Sequence, residues 1–478
     1  MSKLKKILSA IYYRLPYVVK SLITYVLMLK QEKIRYGKYY HIYLEKYRRN
    51  WKLNTSELDN YRSRQLTKLF SEAYYCTLFY RNSLKPHLSY DIISSIKKNN
   101  YLAFSVLQNF PPTNKTALRN AGQDVWNNMR KMVYLNHTSG TSGTPSSIPY
   151  DDESFQIGFA LWRRFHDNCG LPDKFNSVRI SGKIIVHPNT RSAPFWVYNP
   201  LHQQLFMSAY HLTETNMRAY VQKLNQFQPV LIDAYPSAIY ILANYINRHN
   251  IELLFTPTAI ATTAETLYDY QRTEIEKAFN CKVYNQYSSS EGGPFITECP
   301  FGKLHMNIDS AIFEFFKDGN FISNGTGIAE LVVTSFRQWM FPLIRYQTGD
   351  WVKFDEGAFS DSNCACGCKM PYVLEILGRE DDILFTTEKG WVGRLDPAYK
   401  GLQGIIQSAI EQTDLETIDV KIVPDINYQD HIGYELKANL QERLGATVKI
   451  NIQLVESIPQ GPNGKIKAVK RSFNPKIN

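Results

Sequence analysis

The chain has 478 residues, of which 44% are hydrophobic and 21% are charged. This composition provides for a sizeable core and excludes a disordered or fibrous protein. The formal net charge of +11 is unevenly distributed, because residues 1–50 contain 12 Lys and Arg against Glu32 and Glu45. That segment carries +10 and the other 428 residues are nearly neutral, so the positive charge does not describe the whole surface.

Residues 1–90 are predicted to be helical, because they are rich in Tyr and Leu and contain one glycine, Gly37. Residues 17–29 are largely apolar, but Lys20 interrupts them and the run is shorter than the ~20 residues of a spanning helix. Arg14 breaks the apolar run of a candidate signal peptide, and no small-residue cleavage site follows. Two interpretations stay open: a helix packed on the main domain, or a helix on an anionic membrane face. No recognition-helix, RNP or zinc-finger pattern indicates nucleic-acid binding.

The next part of the chain alternates short β-type runs with helical patterns, which predicts a mixed α/β domain. Residues 329–335 and 341–346 are predicted strands, and the pattern restarts after residue 382 with enough elements for a small α+β domain. In that last part, strands are predicted at residues 420–423 and 448–454, and helices at 399–412 and 432–445. The predicted domains are 1–90, a basic helical segment; 91–380, a large α/β domain; and 381–478, a small C-terminal domain.

Residues 138–145 form the strongest local signal, with two glycines and five hydroxyl residues in eight positions. Backbone N–H groups and short hydroxyls of this kind can wrap a polyphosphate. No Gly-Lys-Ser/Thr follows, so the loop is not a Walker A motif. Taken alone, an ordinary polar surface loop explains the pattern equally well. The candidate ATP-binding residues of this loop are Thr138, Ser139, Gly140, Thr141, Ser142, Gly143 and Thr144.

Four further motifs follow in order: residues 285–293, 343–350, 378–382 and 461–467. In this order and spacing, the five motifs resemble the adenylate-forming superfamily. Residues 330–334 and 341–346 resemble its phenylacetate–coenzyme A ligase branch, and residues 73–81 resemble the CapK-type relatives from capsular polysaccharide loci. The resemblance implies an α/β fold class, with a large mixed α/β N-terminal adenylation domain, a small α+β C-terminal domain and a helical N-terminal extension.

The resemblance also implies a two-step reaction. A carboxylate attacks the α-phosphorus of ATP, giving an acyl-adenylate and pyrophosphate, and a thiol, amine or hydroxyl then takes the acyl group. The implied catalytic residues are Lys465, which approaches the reacting carboxylate and α-phosphate, Glu291, which holds Mg²⁺, and Arg379, which reaches ribose or phosphate. The alternative for Lys465 is a surface lysine in a basic tail.

Further nucleotide contacts are implied by the same resemblance. Asp350 accepts hydrogen bonds from the ribose hydroxyls, and Tyr287 stacks on adenine. Ser290 belongs to the same ATP-binding set, and Asp381 matches the hinge about which the C-terminal domain swings. For Asp350 and Asp381 the alternative is an ordinary turn or helix-cap position.

Seven cysteines are present, an odd number, and a disulfide scaffold is not expected. Three of them lie within residues 364–368, and this clustering favours a metal. The resemblance implies that Cys299, His305, Cys364 and Cys366 form a closed structural zinc site, with Cys368 left over. The alternative is a set of free cysteines beside a core histidine.

The predicted function is therefore ATP-dependent carboxylate activation, in surface polysaccharide biosynthesis, with ATP, Mg²⁺ and structural Zn²⁺ as cofactors. The expected partners are a small-molecule carboxylate and coenzyme A or an amine or hydroxyl acceptor, with no nucleic acid. The expected location is the cytoplasm, and peripheral association with the inner face of the membrane is a further hypothesis. The alternative is a catalytically silent relative that acts as a membrane-surface binding or scaffold protein, against which the four residues Glu291, Asp350, Arg379 and Lys465 argue.

Overall fold

The computed structural model describes residues 11–13, 15–137, 146–187, 189–379, 384–392, 395–399, 402, 404–461 and 466–473. The chain forms two compact units. The first unit comprises residues 1–28, 171–283 and 377–478, and the second comprises residues 29–170 and 284–376. Both units draw on segments that are far apart in the sequence. The domain ranges 1–90, 91–380 and 381–478 stay predictions.

The N-terminal part of the chain is helical. Helix α3 begins with a capping box, in which the Asn54 side chain accepts from the Glu57 N–H and the Glu57 carboxylate accepts from the Asn54 N–H. Within the described residues, none of the helices combines the length and apolar character needed to cross a membrane. The helices of this part are α1 (Tyr17–Arg35), α2 (Lys38–Asn50), α3 (Thr55–Cys76), α4 (Leu78–Ser83), α5 (Tyr90–Lys98), α6 (Leu102–Gln108), α7 (Lys115–Ala121) and α8 (Asp152–Asn168).

The strands of the second unit are antiparallel to their neighbours. One hairpin pairs β1 (Tyr134–His137) with β2 (Ser147–Tyr150) and flanks the predicted phosphate loop. Strands β8 (Val283–Ser288), β9 (Phe295–Glu298), β10 (Leu304–Met306) and β15 (Tyr372–Val373) follow one another in a sheet. A second sheet has the order β12 (Asn320–Ile322), β11 (Ala311–Lys317), β13 (Gly327–Ser335) and β14 (Tyr346–Phe354).

The first unit contains a mostly parallel sheet whose inner strands are buried. All residues of β6 and β7 are buried, as expected where helices cover a parallel sheet. The strand order is β7 (Ala259–Thr263), β6 (Leu231–Ala234), β3 (Ser177–Ser181), β5 (Gln204–Ser208) and β4 (Trp196–Asn199), of which only β4 is antiparallel. Its helices are α9 (Glu214–Phe227), α10 (Pro236–Arg248) and α11 (Asp269–Phe279).

The C-terminal part of the first unit has a hydrophobic core of its own, as the sequence predicts for a small α+β domain. Strand β16 (Glu375–Arg379) leads into it. The remaining elements are the hairpin β17 (Leu384–Thr386) and β18 (Gly390–Val392), the helix α12 (Asp430–Leu444), and a sheet ordered β21 (Lys449–Leu454), β20 (Thr417–Pro424), β19 (Ile405–Gln412) and β22 (Val469–Arg471).

Two sequence-based element assignments were wrong. Residues 399–412 were predicted as a helix, but residues 405–412 form β19, which pairs on both edges. The buried Gln412 amide bonds both the N–H and the carbonyl of Phe385, a tertiary contact that local propensity does not reveal. Residues 341–346 were predicted as a strand, but regular pairing begins only at Tyr346. Arg345 has a φ of 44°, outside the extended region, and its guanidinium binds Glu314.

Candidate functional site

Tyr287 and Asp350 come together although 63 positions separate them in the sequence. Tyr287 lies near the end of β8 and Asp350 within β14. The Tyr287 hydroxyl donates to Asp350 Oδ2 at 2.6 Å, and the Asp350 N–H donates to Thr348 Oγ1 at 3.1 Å. Asp350 is only 7% exposed, so its carboxylate is fixed by protein contacts rather than by water. The predicted ribose-binding carboxylate and the predicted adenine-stacking ring therefore form one pair.

Glu291 follows directly after β8 and is almost completely buried. Its Oε1 atom lies 3.1 Å from Lys115 Nζ, on helix α7. The carbonyl of the preceding residue, Ser290, accepts from the Tyr150 hydroxyl at 3.0 Å and from Asn136 Nδ2 at 3.4 Å. Both donors belong to the β1–β2 hairpin. The hairpin that flanks the predicted phosphate loop is thereby fastened beside Glu291.

A cavity of about 420 Å³ adjoins this carboxylate. Glu291 and Lys115 line it together with Ser147 of β2 and Tyr346 of β14. Burial raises the pKa of Tyr150, whose hydroxyl holds Ser290, to about 12, so this hydroxyl stays a hydrogen-bond donor at neutral pH. We name Tyr287, Glu291 and Asp350, with this cavity, the nucleotide site.

Residues 138–144, the hinge residue Asp381 and Lys465 lie outside the described residues. Arg379 is the last residue of β16 and belongs to the first unit. Within that unit, Ile466, the residue after Lys465, donates its N–H to Glu265 Oε1 at 3.2 Å, and Glu265 Oε2 accepts from the Ser237 N–H. Glu265 therefore connects the residue after Lys465 to the first turn of α10.

Lys115 is the site residue that sequence reasoning missed. It lies in a seven-residue helix, and its partner Glu291 is 176 positions away. The sequence around it carries a cap signal, since Asn114 accepts from the Ala117 N–H. A cap locates the start of a helix and gives no hint of a distant carboxylate partner.

The second unit also brings together the four predicted metal ligands, Cys299, His305, Cys364 and Cys366, whose donor atoms all lie within 4.8 Å of one another. The loops that hold the cysteines each turn at a glycine of positive φ. Gly302 (φ 76°) donates to the Cys299 carbonyl, and Gly367 (φ 81°) donates to that of Cys364. We name these four residues the Cys/His cluster.

The distances in the Cys/His cluster fit a tetrahedral metal, whereas burial raises the pKa of the Cys299 thiol to about 12. Cys299 Sγ lies 3.6 Å from Cys364 Sγ, and Cys366 Sγ lies 3.4 Å from His305 Nε2. Zinc–ligand bonds of tetrahedral geometry separate such atoms by about 3.5–3.8 Å. His305 Nδ1 lies 2.8 Å from the Met370 carbonyl oxygen, which leaves Nε2 as the ligand atom. Hydrogen bonds from Cys368 and then from His305 lower the pKa of Cys366, which favours a thiolate.

Cys368 lies outside the four-residue set, as the sequence analysis expected. It is fully buried, and its N–H donates to Cys366 Sγ at 3.4 Å. All seven cysteines are free. The chemistry of the donor set, three sulfurs and one imidazole, is that of a closed structural zinc site without an open position.

Comparison with known proteins agrees with this architecture. A family model described as the CapK C-terminal domain matches residues 384–472. Among solved structures, 2-hydroxyisobutyryl-CoA ligase in the postadenylation state, in complex with R3-HIB-AMP, has a TM-score of 0.67 at 17% identity and covers 89% of this chain and 91% of its own. An anthranilate CoA ligase in complex with anthranoyl-AMP has a TM-score of 0.52 at 16% identity, over 70% of this chain and 66% of its own.

At these identities the two solved structures show the fold alone. They confirm the predicted fold class, a large mixed α/β N-terminal domain with a small α+β C-terminal domain. The sequence comparison goes further. Protein CapK of Staphylococcus aureus is 34% identical over 380 residues, which cover 77% of this chain and 82% of CapK. With that identity over most of both chains, and with the C-terminal match beside it, this chain belongs to the CapK family.

Proposed function

We propose that this protein is an ATP-dependent, adenylate-forming ligase. It activates a small-molecule carboxylate as an acyl-adenylate and transfers the acyl group to coenzyme A or to an amine or hydroxyl of a surface-polysaccharide precursor. The observation that carries this proposal is the Tyr287–Asp350 hydrogen bond, because it joins two motif residues from distant segments of the chain. Glu291, from the same motif as Tyr287, lines a cavity of about 420 Å³. The adenylates in the two solved structures with the same fold support the same chemistry.

Nucleotide binding rests on Asp350 and Tyr287. The Asp350 carboxylate accepts a hydrogen bond from the Tyr287 hydroxyl, and carboxylate oxygens are suited to accept hydrogen bonds from the two ribose hydroxyls. Because that hydrogen bond fixes the phenol, the ring of Tyr287 is held at a set angle for stacking on adenine. Arg379 contributes a positive charge for ribose or phosphate.

The chemical step breaks the bond between the α-phosphorus and its bridging oxygen. A carboxylate oxygen of the substrate forms the new bond to phosphorus, and the electron pair of the broken bond leaves with pyrophosphate. Lys465 supplies a cation where negative charge crowds in this transition state. Glu291 offers the carboxylate oxygens that Mg²⁺ prefers, and a bound Mg²⁺ neutralises charge on the polyphosphate.

The Cys/His cluster is proposed to hold one structural Zn²⁺. Its four donor residues are grouped together; His305 is fully buried and Cys299 is 2% exposed, and Cys364 and Cys366 are half-buried. The metal fastens residues 299–305 to residues 364–366, which lie on either side of β11, β13 and β14 in the sequence. The proposed role is to stabilise the second unit, with no part in the reaction.

A substrate panel tests the proposed activity. Full-length protein is incubated with MgATP and sugar acids, amino acids, hydroxy acids and aryl acids, and pyrophosphate release is measured. We expect release with one chemical class and loss of release in Asp350→Ala. Protein that binds neither ATP nor AMP by calorimetry contradicts the proposal and favours the silent scaffold. Mass spectrometry of the acyl product then separates coenzyme A from an amine or hydroxyl acceptor.

A second proposal, association with an anionic membrane surface, is supported by the exposed face of α1. At ~100° per residue, four exposed apolar side chains fall within an arc of ~80°: Val18 (74% exposed), Leu22 (61%), Val26 (46%) and Leu29 (45%). Two others, Val19 (38%) and Leu27 (51%), lie outside this arc. Lys33 continues the same arc, and the first 50 residues carry +10. An apolar stripe flanked by basic residues is complementary to an anionic lipid surface, where each basic residue contributes about 1 kcal/mol.

Vesicle flotation tests this second proposal. Full-length protein is expected to float with vesicles of phosphatidylcholine and phosphatidylglycerol at low salt, and less at high salt or with phosphatidylcholine alone. The double variant Leu22→Gln/Val26→Gln should lose flotation. Leu254→Gln is the matched control, because Leu254 is 71% exposed in another part of the chain. Equal flotation of all three proteins contradicts a role for α1, and concentration-dependent dimerisation without flotation assigns the stripe to a second copy.

A further inference from the structure

Further positive charge at the nucleotide site, in addition to that of Lys465 and Arg379, would strengthen the binding of a polyphosphate. The predicted phosphate loop, residues 138–145, contains no Lys or Arg. Glu291 and Asp350 add two carboxylates. ATP brings several further negative charges, and Coulomb repulsion between like charges is strongest where water is excluded. Basic side chains that line the cavity would therefore stabilise a polyphosphate bound there.

Lys115 and Arg119 supply that charge. Both line the cavity of about 420 Å³, together with Glu291 and with Ser146 and Ser147, which follow directly after the predicted phosphate loop. Lys115 Nζ lies 3.1 Å from Glu291 Oε1, and the Lys115 side chain is 31% exposed whereas that of Glu291 is 7% exposed. The lysine is thus the accessible partner of the pair and can turn its ammonium group toward a bound anion.

The backbone holds Lys115 at a fixed place relative to Asp350. Thr113, two residues before Lys115, pairs with the start of β14 as a parallel bridge to Tyr346. The Thr113 N–H donates to the Arg345 carbonyl at 2.8 Å, and the Gln347 N–H donates to the Thr113 carbonyl at 2.8 Å. Asp350 lies on the same strand, β14, three residues after Gln347. One strand therefore sets the positions of both the ribose-binding carboxylate and the start of helix α7.

We propose that Lys115 is a further catalytic residue, which binds the terminal phosphates of ATP and stabilises the leaving pyrophosphate. This inference rests on the proposed function. Before nucleotide binds, Lys115 neutralises Glu291. In the complex its ammonium group exchanges the carboxylate for phosphate oxygens, and it faces the negative charge that appears on pyrophosphate when the bond to the α-phosphorus breaks. A lysine serves this task as a point charge on a flexible stem.

Three binding measurements on full-length protein test the assignment, with MgATP, inorganic pyrophosphate and AMP as probes. In Lys115→Met, affinity for MgATP and for pyrophosphate should fall ~10- to 100-fold, as for the loss of a charge-assisted hydrogen bond. Affinity for AMP, which has no terminal phosphates, should stay within about twofold, because nothing in the ribose and adenine contacts has changed. Lys115→Arg keeps the charge and should restore most of the affinity. Lys98→Met, at an exposed lysine of α5, is the control for charge removal and should bind all three probes normally.

Each outcome decides between distinct explanations. Unchanged MgATP and pyrophosphate affinity in Lys115→Met overturns the assignment and leaves the Lys115–Glu291 pair as a structural contact. A parallel loss of AMP affinity overturns it as well, because a general distortion of the site then explains the result. Wild-type protein that binds neither nucleotide overturns the proposed function and the role of Lys115 with it. Selective loss for the two probes that contain a pyrophosphate group supports the assignment.

Discussion

The two candidate sites of the second unit differ in how far their polar groups contact one another within the protein. In the Cys/His cluster, the donor atoms all face one another within 4.8 Å and the histidine is fully buried. In the nucleotide site, Glu291 and Lys115 line a cavity of about 420 Å³, which leaves room for a bound molecule. The first arrangement suits a group that stays bound, and the second suits molecules that enter and leave. The contrast assigns a stabilising role to the Cys/His cluster and a chemical role to the nucleotide site, within the same unit.

The largest expected effect lies on the side of chemistry. Lys465→Ala should lower adenylate formation by about 10³-fold, because it removes a cation from the transition state. Transfer of the acyl group from preformed acyl-adenylate should stay within a few-fold, since that step breaks no bond at the α-phosphorus of ATP. The melting temperature and the zinc content should not change. The two half-reactions are measured separately, by pyrophosphate release and by acyl transfer.

The control for this change is Lys467→Ala, two positions along the same basic tail. It should leave both half-reactions near wild type. Equal loss in both lysine variants, or equal loss of both half-reactions in Lys465→Ala, contradicts the role given to Lys465. A lowered zinc content in Lys465→Ala would contradict the view that the nucleotide site and the Cys/His cluster have independent roles.

A smaller effect, on the side of stability, is expected from Cys366→Ser. The variant loses one of three thiolates, so the zinc content should fall from about one per chain toward zero and the free energy of unfolding should fall by about 3 kcal/mol. Affinity for AMP at low temperature should stay near wild type. Elemental analysis and denaturant unfolding provide the measurements.

Cys368→Ser is the matched control for that experiment. Cys368 is as close to Cys366 in the sequence as Cys364 is, and it is fully buried, but it lies outside the Cys/His cluster. Its zinc content should equal that of the wild type. Wild-type protein that holds no metal when purified without chelator contradicts the zinc proposal. Loss of zinc in Cys368→Ser would mean that Cys368 is a zinc ligand in place of one of the four residues.

The sequence predicted the Cys/His cluster more fully than the nucleotide site. The four ligands carry rare side chains in two short segments, and glycines within these segments permit the turns, so a resemblance to a known pattern was enough to choose them. Lys115 had no such signal, because its partner lies 176 positions away and a lysine at the start of a helix is common. Contacts made only by the tertiary fold stay hidden from local pattern.

The wrong element assignments have the same cause. Residues 405–412 can form either helix or strand by composition, and their place between β20 and β22 decides for strand. Arg345 leaves the extended region because Glu314 and the carbonyls of Gln108 and Phe110 bind its guanidinium. The helical N-terminal part and the parallel strands of the first unit were readable, since their periodicity and buried runs are local properties.

The smallest expected effect tests whether Tyr287 and Asp350 act together. Tyr287→Phe keeps the ring and removes only the hydroxyl that donates to Asp350. Affinity for AMP should fall about fivefold, or ~1 kcal/mol, the usual net value of one hydrogen bond.

Asp350→Asn weakens the same contact from the other side. If the pair acts as a unit, the double variant should lose less AMP-binding free energy than the two single variants lose together. The expected coupling free energy is about 1 kcal/mol, and calorimetry provides the measurement. Tyr434→Phe, at a tyrosine that is 75% exposed in α12, should change nothing. Strictly additive losses would mean that the Tyr287 hydroxyl and the Asp350 carboxylate act independently in AMP binding, and the nucleotide site would then be less preorganised than the 2.6 Å contact implies.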